Sequence, residues 1–367
     1  MSEIEVNQFG RFEDSSEAVG VGGFRVVAIG GGTGLSTLLK GLKQYVPKPG
    51  SAVSCDETTQ ISDLTAIVTV TDDGGSSGLL RKEFNILPPG DIRNCIVALS
   101  EDEALLARLL QFRFPADSGL HGHSFGNLFL TALTSMTSDF AEAVKLASSV
   151  LAIRGRIYPS TTTANVHLEA QMDDGSRVFG ETNINASTQH IVELRMVPAN
   201  VRPLPETLDA IAKADLITIG PGSLFTSLIP NLLVRGIPEA IAASRAVKAF
   251  VCNLMTEANE SLSLTASGHI RAIYNHAGRE IFDYALVNAT TVSPSTRASY
   301  AEEAAEQIEP DIEAIKALGV RPIVGDYLDE TRVARHATAR IARDLLGLLA
   351  TRCTTKAPLH FAVNAEQ

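Results

Sequence analysis

Residues 26–37 read VVAIGGGTGLST, and this stretch indicates the fold more clearly than any other. Its first four residues are apolar, as in a buried parallel strand. The glycines that follow allow the backbone to turn sharply, and the leucines beyond them have the spacing of a helix. Because free amides and the helix dipole attract phosphate at a helix N-terminus, we expect an anion site at this turn.

Strand-like and helix-like segments alternate along most of the chain, which predicts an α/β fold. The pattern favours a Rossmann-like, doubly wound, mainly parallel sheet. Residues 153–198 alternate over shorter runs and predict an inserted antiparallel flap. We predict one domain at 24–350, between flexible tails at 1–23 and 351–367. The other predicted elements are strands at 24–30, 65–71, 215–219, 249–253, 284–288 and 320–324, helices at 34–45, 92–112, 124–150, 205–213, 224–234, 238–245, 300–317 and 331–350, and a polar insertion at 47–63.

Composition limits the classes of function. Hydrophobic residues make up 45% of the 367 residues, and the formal net charge of −11 argues against a general nucleic-acid binder. Apolar runs are too short for a membrane span, and no signal peptide is recognisable. The four cysteines have no metal-binding spacing, and Cys95 and Cys252 lie in apolar runs that suggest core packing. A reducing cytoplasm fits these features.

Four polar segments follow predicted strands: GGGTG at 30–34, DDGGSS at 72–77, GPGS at 220–223 and NLMT at 253–256. Ligands of doubly wound sheets bind beyond the carboxyl ends of the strands, so these segments should meet at one crevice. Two glycine turns on two halves of a sheet fit a two-part ligand such as a diphosphate-linked sugar. The predicted ligand-binding residues are Gly30, Gly31, Gly32, Thr33, Gly34, Asp72, Asp73, Gly74, Gly75, Ser76, Ser77, Arg93, Asn94, His123, Ser124, Asn127, Gly220, Pro221, Gly222, Ser223, Thr226, Asn253, Met255 and Thr256.

The first glycine turn matches neither the G-x-G-x-x-G spacing of dinucleotide sites nor the G-x-x-x-x-G-K-[ST] of a P-loop. A standard NAD site or a Walker-type ATPase is therefore not expected. Either glycine turn could also be a purely structural connection between a strand and a helix.

The neighbouring carboxylates Asp72 and Asp73 are the candidate catalytic residues and the candidate metal ligands. They could hold Mg²⁺ together with a substrate phosphate, orient a sugar hydroxyl, or cap the loop by accepting amide hydrogen bonds. Mg²⁺ is the only cofactor that the sequence suggests. Asp91 has the position of a helix N-cap, and Arg93 could reach an anion.

Gly122–Gly126 reads GHSFG and matches the G-x-S-x-G nucleophile elbow, which would make Ser124 the nucleophile of a serine hydrolase. The segment before it is polar rather than a buried strand. We therefore favour Ser124 as a helix cap and keep the hydrolase as a remote alternative.

Six blocks together resemble the gluconeogenesis factor (YvcK-like) family, within the 2-phospho-L-lactate transferase (CofD-like) superfamily. The blocks are VVAIGGGTGLSTLLKGLK, TAIVTVTDDGGSSG, LPPGDIRNCIVALS, HSFGNLFLTAL, ADLITIGPGSLFTSLIPNLLVRGIPEAI and VCNLMT. The resemblance implies a Rossmann-like fold that binds UDP-sugars such as UDP-N-acetylglucosamine. It also implies a role in central carbon metabolism and in cell-shape or envelope maintenance, and it implies no agreed reaction.

The chain departs from these patterns at three places. The transferase branch has Gly-Asp-Asp after its second strand and Gly-Pro-Ser-Asn-Pro later, where this chain has Thr71-Asp72-Asp73 and Gly220–Leu224. The family's Ser-x-Ser-Asp-His segment is altered, with Gly268 in place of the aspartate. A UDP-sugar-binding regulator is the leading hypothesis, and a transferase of a phosphorylated group that uses a nucleotide diphosphate donor is the alternative. An isologous homodimer and unidentified regulatory partner proteins are default expectations.

Overall fold

A computed structural model describes residues 23–48, 60–258, 260–330 and 333–354. The tails predicted at 1–23 and 351–367 and the insertion predicted at 47–63 lie wholly or mostly outside these residues. The elements, in chain order, are β1 (Phe24–Gly30), α1 (Gly32–Lys43), β2 (Ile61–Val68), α2 (Gly75–Phe84), α3 (Gly90–Leu99), α4 (Glu103–Leu110), α5 (Phe125–Thr137), α6 (Phe140–Val150), β3 (Arg156–Pro159), β4 (His167–Met172), β5 (Arg177–Phe179), α7 (Glu181–Ala186), β6 (Ile191–Val197), α8 (Pro205–Lys213), β7 (Leu216–Ile219), a π-helical turn (Leu224–Leu228), α9 (Ile229–Leu233), α10 (Ile237–Ala243), β8 (Val247–Val251), α11 (Ala266–Ala277), β9 (Tyr284–Asn288), α12 (Pro294–Glu302), α13 (Ile312–Ala317), β10 (Arg321–Gly325), β11 (Leu328–Glu330), β12 (Ala334–His336) and α14 (Thr338–Thr354).

The central sheet has seven strands in the order β10-β9-β8-β7-β1-β2-β3, and every neighbouring pair is parallel. The chain winds outward from β1 to β3 on one side and from β7 to β10 on the other. This is the order of a doubly wound Rossmann sheet, and its switch point lies between β1 and β7. The predicted fold class is confirmed.

β1 is buried on both faces because it lies in the middle of the sheet. Val26 and Ala28 pack into one hydrophobic core, together with leucines of α1 and α14. Val27 and Ile29 point to the opposite face and pack with residues of α8, α9 and α11. All four are at most 2% exposed. An uninterrupted apolar run is therefore required here, since either face would otherwise bring a polar group into a core.

The predicted flap is present, but it is shorter than 153–198. β4 pairs with β5 and β6 in an antiparallel sheet of its own, and α7 lies between β5 and β6. The first strand of the predicted segment, β3, belongs to the central sheet, where it runs parallel to β2. A strand of only four residues, Arg-Ile-Tyr-Pro, carries no signal that tells these two partners apart.

Several element boundaries differ from the sequence prediction. β2 starts at Ile61, not Thr65, and ends at Val68. The helix predicted at 300–317 is two helices, α12 and α13, with Pro310 in the segment between them. The helix predicted at 331–350 begins only at Thr338, because the residues just before it pair with β11. α2, α7 and α11 were not predicted, since glycine, serine and asparagine at their starts are typical of loops.

Buried thiols account for two of the cysteines. Cys95 and Cys252 are free and buried, which confirms their predicted packing role. Cys55 and the side chain of Cys353 lie outside the described residues. No helix in the described ranges is long and apolar enough to cross a membrane.

The turns after β1 and β7 touch through their backbones. A Cβ atom on Gly34 would lie 2.4 Å from the carbonyl oxygen of Pro221 and 2.9 Å from Cα of Gly222. Both neighbouring atoms belong to the backbone and cannot rotate away. Glycine at position 34 therefore allows the two turns to lie in contact at the switch point.

Replacing Gly34 by alanine should push the turns apart and lower the free energy of unfolding by about 1–3 kcal/mol. Gly347→Ala is a matched control, because Gly347 also lies within a helix but a Cβ there meets open space. That change should raise the free energy of unfolding by roughly 0.5–1 kcal/mol. Denaturant unfolding followed by circular dichroism measures both effects, and a Gly34→Ala protein as stable as the wild type would contradict the contact.

Candidate functional site

A cleft of about 290 Å³ lies between the turns that follow β1 and β7, at the switch point of the sheet. We call it the glycine cleft. Ten of the predicted ligand-binding residues line it: Gly31, Gly32, Thr33, Gly34, Pro221, Gly222, Ser223, Asn253, Met255 and Thr256. The remaining described lining residues are Ser227, Leu254, Glu257, Tyr300, Ala334 and His336. Three of the four predicted segments therefore meet, as the strand order requires.

The first turn presents the start of α1 to this cleft. Gly32 has a left-handed backbone with φ 61°, and its amide donates to Oδ2 of Asp91 at 2.8 Å. The amide of Leu35 donates to the Gly31 carbonyl. Between them, the amides of Thr33 and Gly34 have no acceptor among the described residues. Two free amides at a helix N-terminus, facing a cleft, form an anion site.

The second turn is held by side chains of the protein. Asn253 clasps Gly222 with two hydrogen bonds, one from the Gly222 amide at 3.0 Å and one to its carbonyl at 2.9 Å. The buried Glu260 carboxyl accepts from the amides of Phe225 and Thr226. Thr226 is itself buried behind the cleft wall. The amides of Phe225 and Thr226 in this helical segment are thus already occupied, unlike those of Thr33 and Gly34 in the first turn.

Positive charge is absent from the described lining of the cleft, where Glu257 is the only side chain with a formal charge. His336 donates from Nε2 to the Cys252 carbonyl at 3.0 Å, and burial lowers the pKa of its ring, which is therefore neutral at pH 7. A phosphate in this cleft would be held by amides and the dipole of α1 rather than by lysine or arginine.

A second group of predicted residues forms a hydrogen-bonded network beside α3, which we call the polar cluster. Arg93 donates from Nη1 to Ser124 Oγ and Asn127 Oδ1, both at 2.8 Å, and from Nη2 to Asn94. Asn127 donates to Ser76 Oγ at 3.1 Å. The ring of His123 contacts the same hydroxyl at 3.0 Å. This arrangement fixes the Arg93 guanidinium within the protein, with Nε lacking a hydrogen-bond partner.

Ser124 is the N-cap of α5, as predicted, and its hydroxyl accepts from the Asn127 amide at 3.3 Å. The side chain is 1% exposed, and the neighbouring histidine ring faces Ser76 instead. A nucleophile needs a base within hydrogen-bond reach and an exposed position on a strand-to-helix turn. The geometry therefore gives no support to a serine hydrolase.

Asp91 connects the glycine cleft with the helix that carries Arg93 of the polar cluster. The sequence suggests it as an N-cap, but α3 begins at Gly90, and the Asp91 carboxylate accepts from Gly32 of the first glycine turn. Burial raises the pKa of Asp91 to about 6, and the charge of Asp72 adds to this effect. The cap prediction is wrong because a tertiary acceptor role took its place. Asp91 thus fixes the first turn against α3.

The two predicted metal ligands have different partners. Asp72 accepts from the Gly74 amide at 2.9 Å, which is the loop-capping contact. Asp73 accepts from the amide and hydroxyl of Thr182 at 2.9 and 2.7 Å, and so it ties the turn after β2 to the flap. No group of three or more metal-binding side chains occurs in the described part of the chain. Asp72 can contribute one oxygen to Mg²⁺ if ligand phosphates supply others, whereas Asp73 is committed to the flap.

The remaining predicted residues have supporting positions. Gly30 ends β1, and its carbonyl accepts from the Thr69 amide at 2.9 Å. Gly220 has a φ of 85°, a backbone conformation that favours glycine, and it begins the second turn. Gly74 and Gly75 precede or begin α2, and Ser77 is buried within it.

Two charged groups near Asp72, one buried and one half-buried, were not predicted from the sequence. Arg81 of α2 donates to the backbone carbonyls of Thr71 and Val166. Glu181 starts α7, and burial together with nearby aspartates raises its pKa to about 9. Nothing in the local sequence indicates either role, because both residues have the pattern of ordinary exposed helix positions.

The raised pKa of Glu181 predicts a pH effect on stability. A carboxyl that binds its proton more tightly when folded stabilises the protein at low pH, and this contribution disappears as pH rises toward 9. Glu181→Gln should therefore raise the melting temperature by about 2 °C or more at pH 8 and by less at pH 5. Glu313→Gln, at an exposed residue of α13, serves as the control. An equal effect of Glu181→Gln on the melting temperature at both pH values would contradict the raised pKa of Glu181.

Comparisons with known proteins agree with this geometry. Residues 26–328 match the family described as 2-phospho-L-lactate transferase CofD. The gluconeogenesis factor of Halalkalibacterium halodurans is 47% identical over 323 residues, which cover 88% of this chain and 95% of that protein. The gluconeogenesis factor of Bacillus subtilis is 44% identical over 326 residues, with 89% and 98% covered.

A crystal structure of a Bacillus halodurans protein has the same fold. Its TM-score is 0.82 at 45% sequence identity, and the likeness covers 89% of this chain and 100% of that chain. The family match spans both glycine turns and the polar cluster. The chain therefore belongs to the CofD family and, within it, to the gluconeogenesis factors.

Proposed function

We propose that this gluconeogenesis factor binds a UDP-sugar, of the UDP-N-acetylglucosamine type, in the glycine cleft. The observation that carries the proposal is the pair of free amides, on Thr33 and Gly34, at the start of α1. They face a cleft that lies at the switch point of a Rossmann sheet, where nucleotide ligands of this architecture bind. The diphosphate would accept from these amides, and its two substituents would extend in opposite directions.

Tyr300 supplies an apolar contact for one of those substituents. It is the only tyrosine, phenylalanine or tryptophan among the described lining residues, and it is partly exposed. An aromatic ring can stack on a nucleobase whatever hydrogen bonds the base makes. The opposite wall, which the second turn and Asn253 form, is polar and suits hydroxyl groups.

The biological role that we propose is regulatory. A UDP-sugar reports the supply of envelope precursors, so a cytoplasmic protein that binds one can adjust central carbon metabolism and cell-shape maintenance. Regulation requires a ligand to bind two conformations with different affinity. The bonds between Asp73 and Thr182 join the turn after β2 to the flap, so the flap is the element that would respond.

A transferase of a phosphorylated group is the second candidate, because the family match is to a transferase. Its acceptor would bind at the polar cluster, where Arg93 offers positive charge close to the first turn. Bound Mg²⁺ would offset the charge that builds on the leaving phosphate. Asp72 would contribute to holding that ion, and the described residues provide no obvious general base beside it.

Binding should appear as thermal stabilisation. UDP-N-acetylglucosamine at about 100 times its dissociation constant should add roughly 2.7 kcal/mol to the free energy of unfolding. GDP and NAD at the same concentration should add much less. Failure of every UDP-sugar to raise the melting temperature would contradict the proposal.

Tyr300 provides a test at the level of one residue. Tyr300→Ala should weaken UDP-N-acetylglucosamine binding by about 10-fold, because a stacked ring contributes about 1–3 kcal/mol. Tyr300→Phe keeps the ring and should bind within about 2-fold of the wild type. Isothermal titration calorimetry measures both constants. Equal affinity of the alanine variant would place the ligand away from this residue.

If the protein is a transferase, it should release a nucleotide product. Incubation with UDP-, GDP- or other nucleotide-diphosphate-linked donors and Mg²⁺ should release a nucleotide that chromatography detects. Asp72→Asn should abolish this release while thermal stability stays close to that of the wild type. Absence of product with all donors, together with tight UDP-sugar binding, would leave the regulator as the function.

A further inference from the structure

We propose that Glu257 recognises a pair of adjacent hydroxyl groups on the ligand and so selects for an intact ribose or sugar diol in the glycine cleft. The inference deepens the proposed function and depends on it. A ribose diol and a diol on the sugar of a UDP-sugar present the same chemistry, and analogues that lack one hydroxyl separate them.

Glu257 lies in the wall of the glycine cleft. It directly follows the NLMT segment after β8, and it lines the cleft together with the first turn. Ser223 donates its hydroxyl to the carboxylate, at 3.0 Å from Oε1 and 2.8 Å from Oε2. The Glu257 amide donates to Ser261 at 3.0 Å. The side chain is therefore held in one orientation before a ligand arrives.

The Glu257 carboxylate can accept more hydrogen bonds than the protein supplies. An ionised carboxylate only accepts, and its two oxygens offer about four lone-pair sites. Ser223 supplies one proton and the neighbouring Glu260 carboxyl also hydrogen-bonds to Glu257, so about half of this capacity remains for donors from the cleft. Adjacent hydroxyl groups supply two donors at the separation of two carboxylate oxygens. In Rossmann folds, an acidic side chain reads the ribose of NAD in this way.

Charge decides which part of the ligand Glu257 can face. A carboxylate repels a phosphate, and the free amides of Thr33 and Gly34 already provide a phosphate site elsewhere in the cleft. No described cationic side chain lines the cleft to neutralise Glu257. A neutral part that carries hydrogen-bond donors is therefore the favourable partner.

Glu260, the buried neighbour of Glu257, holds the helical segment that follows the second turn. Glu260 accepts from the Phe225 and Thr226 amides and has almost no exposed surface. Burial and the adjacent Glu257 charge raise the pKa of Glu260 far above its usual range. Glu260 therefore positions the helical segment, and Glu257 is the carboxyl of the pair that lines the cleft.

The test compares ligands that differ by one hydroxyl. Isothermal titration calorimetry would give dissociation constants of UDP, 2′-deoxy-UDP, 3′-deoxy-UDP and UDP-N-acetylglucosamine for wild type and Glu257→Gln. Hydrogen bonds to a charged group contribute about 1.5–3 kcal/mol, so wild type should prefer UDP over each deoxy analogue by roughly 10-fold or more. Glu257→Gln should reduce that preference to about 3-fold or less and leave the affinity for the deoxy analogues nearly unchanged.

Two comparisons assign the source of the diol and check for a structural effect. If Glu257 faces the sugar, Glu257→Gln should instead lower the preference for UDP-N-acetylglucosamine over UDP. Glu302→Gln, at an exposed residue of α12, should change none of the ratios. A purely structural role for Glu257 would weaken all ligands equally.

Unchanged selectivity in Glu257→Gln, for both the deoxy analogues and the sugar, would overturn this inference while UDP binding remained. Lack of binding of all four ligands to the wild type would overturn the proposed function and the inference with it. The two failures are thus distinguishable.

Discussion

The backbone contact between the turns after β1 and β7 is the constraint on which the site depends. Gly34 lies so close to Pro221 that no side chain fits between them. This contact holds the free amides at the start of α1 opposite the polar wall formed by Asn253. The topology brings the turns to one edge of the sheet, and the missing side chain allows them to meet there.

The distribution of charge explains how an acidic protein could bind a diphosphate. The described lining of the cleft offers amides and a helix dipole rather than basic side chains, so the proposed phosphate contacts require no basic residue despite the net charge of −11. Two carboxyl groups hold the surrounding backbone. Asp91 fixes the first turn, and Glu260 closes the helical segment after the second. These two carboxyl groups thus hold the backbone around the cleft, and we propose that the free amides contact the phosphate.

Much of this arrangement could be predicted from sequence, because it follows from strand order. Apolar runs locate the parallel strands, and the polar segments after them converge on one crevice. The tertiary partners could not be predicted. Asp91 has the position of a helix cap, but it accepts a hydrogen bond from Gly32 across the fold. Asp73 was predicted to bind a metal together with Asp72, but it accepts a hydrogen bond from the flap. Glu181 shows no local pattern, since its raised pKa arises from desolvation and from aspartates that are distant in the sequence.

The most direct test of the central claim is a crystal structure of the protein with UDP-N-acetylglucosamine bound. We predict that the diphosphate lies within hydrogen-bonding distance of the Thr33 and Gly34 amides, between the two glycine turns. A diphosphate bound at the polar cluster around Arg93, or at the second turn without contact to α1, would contradict it.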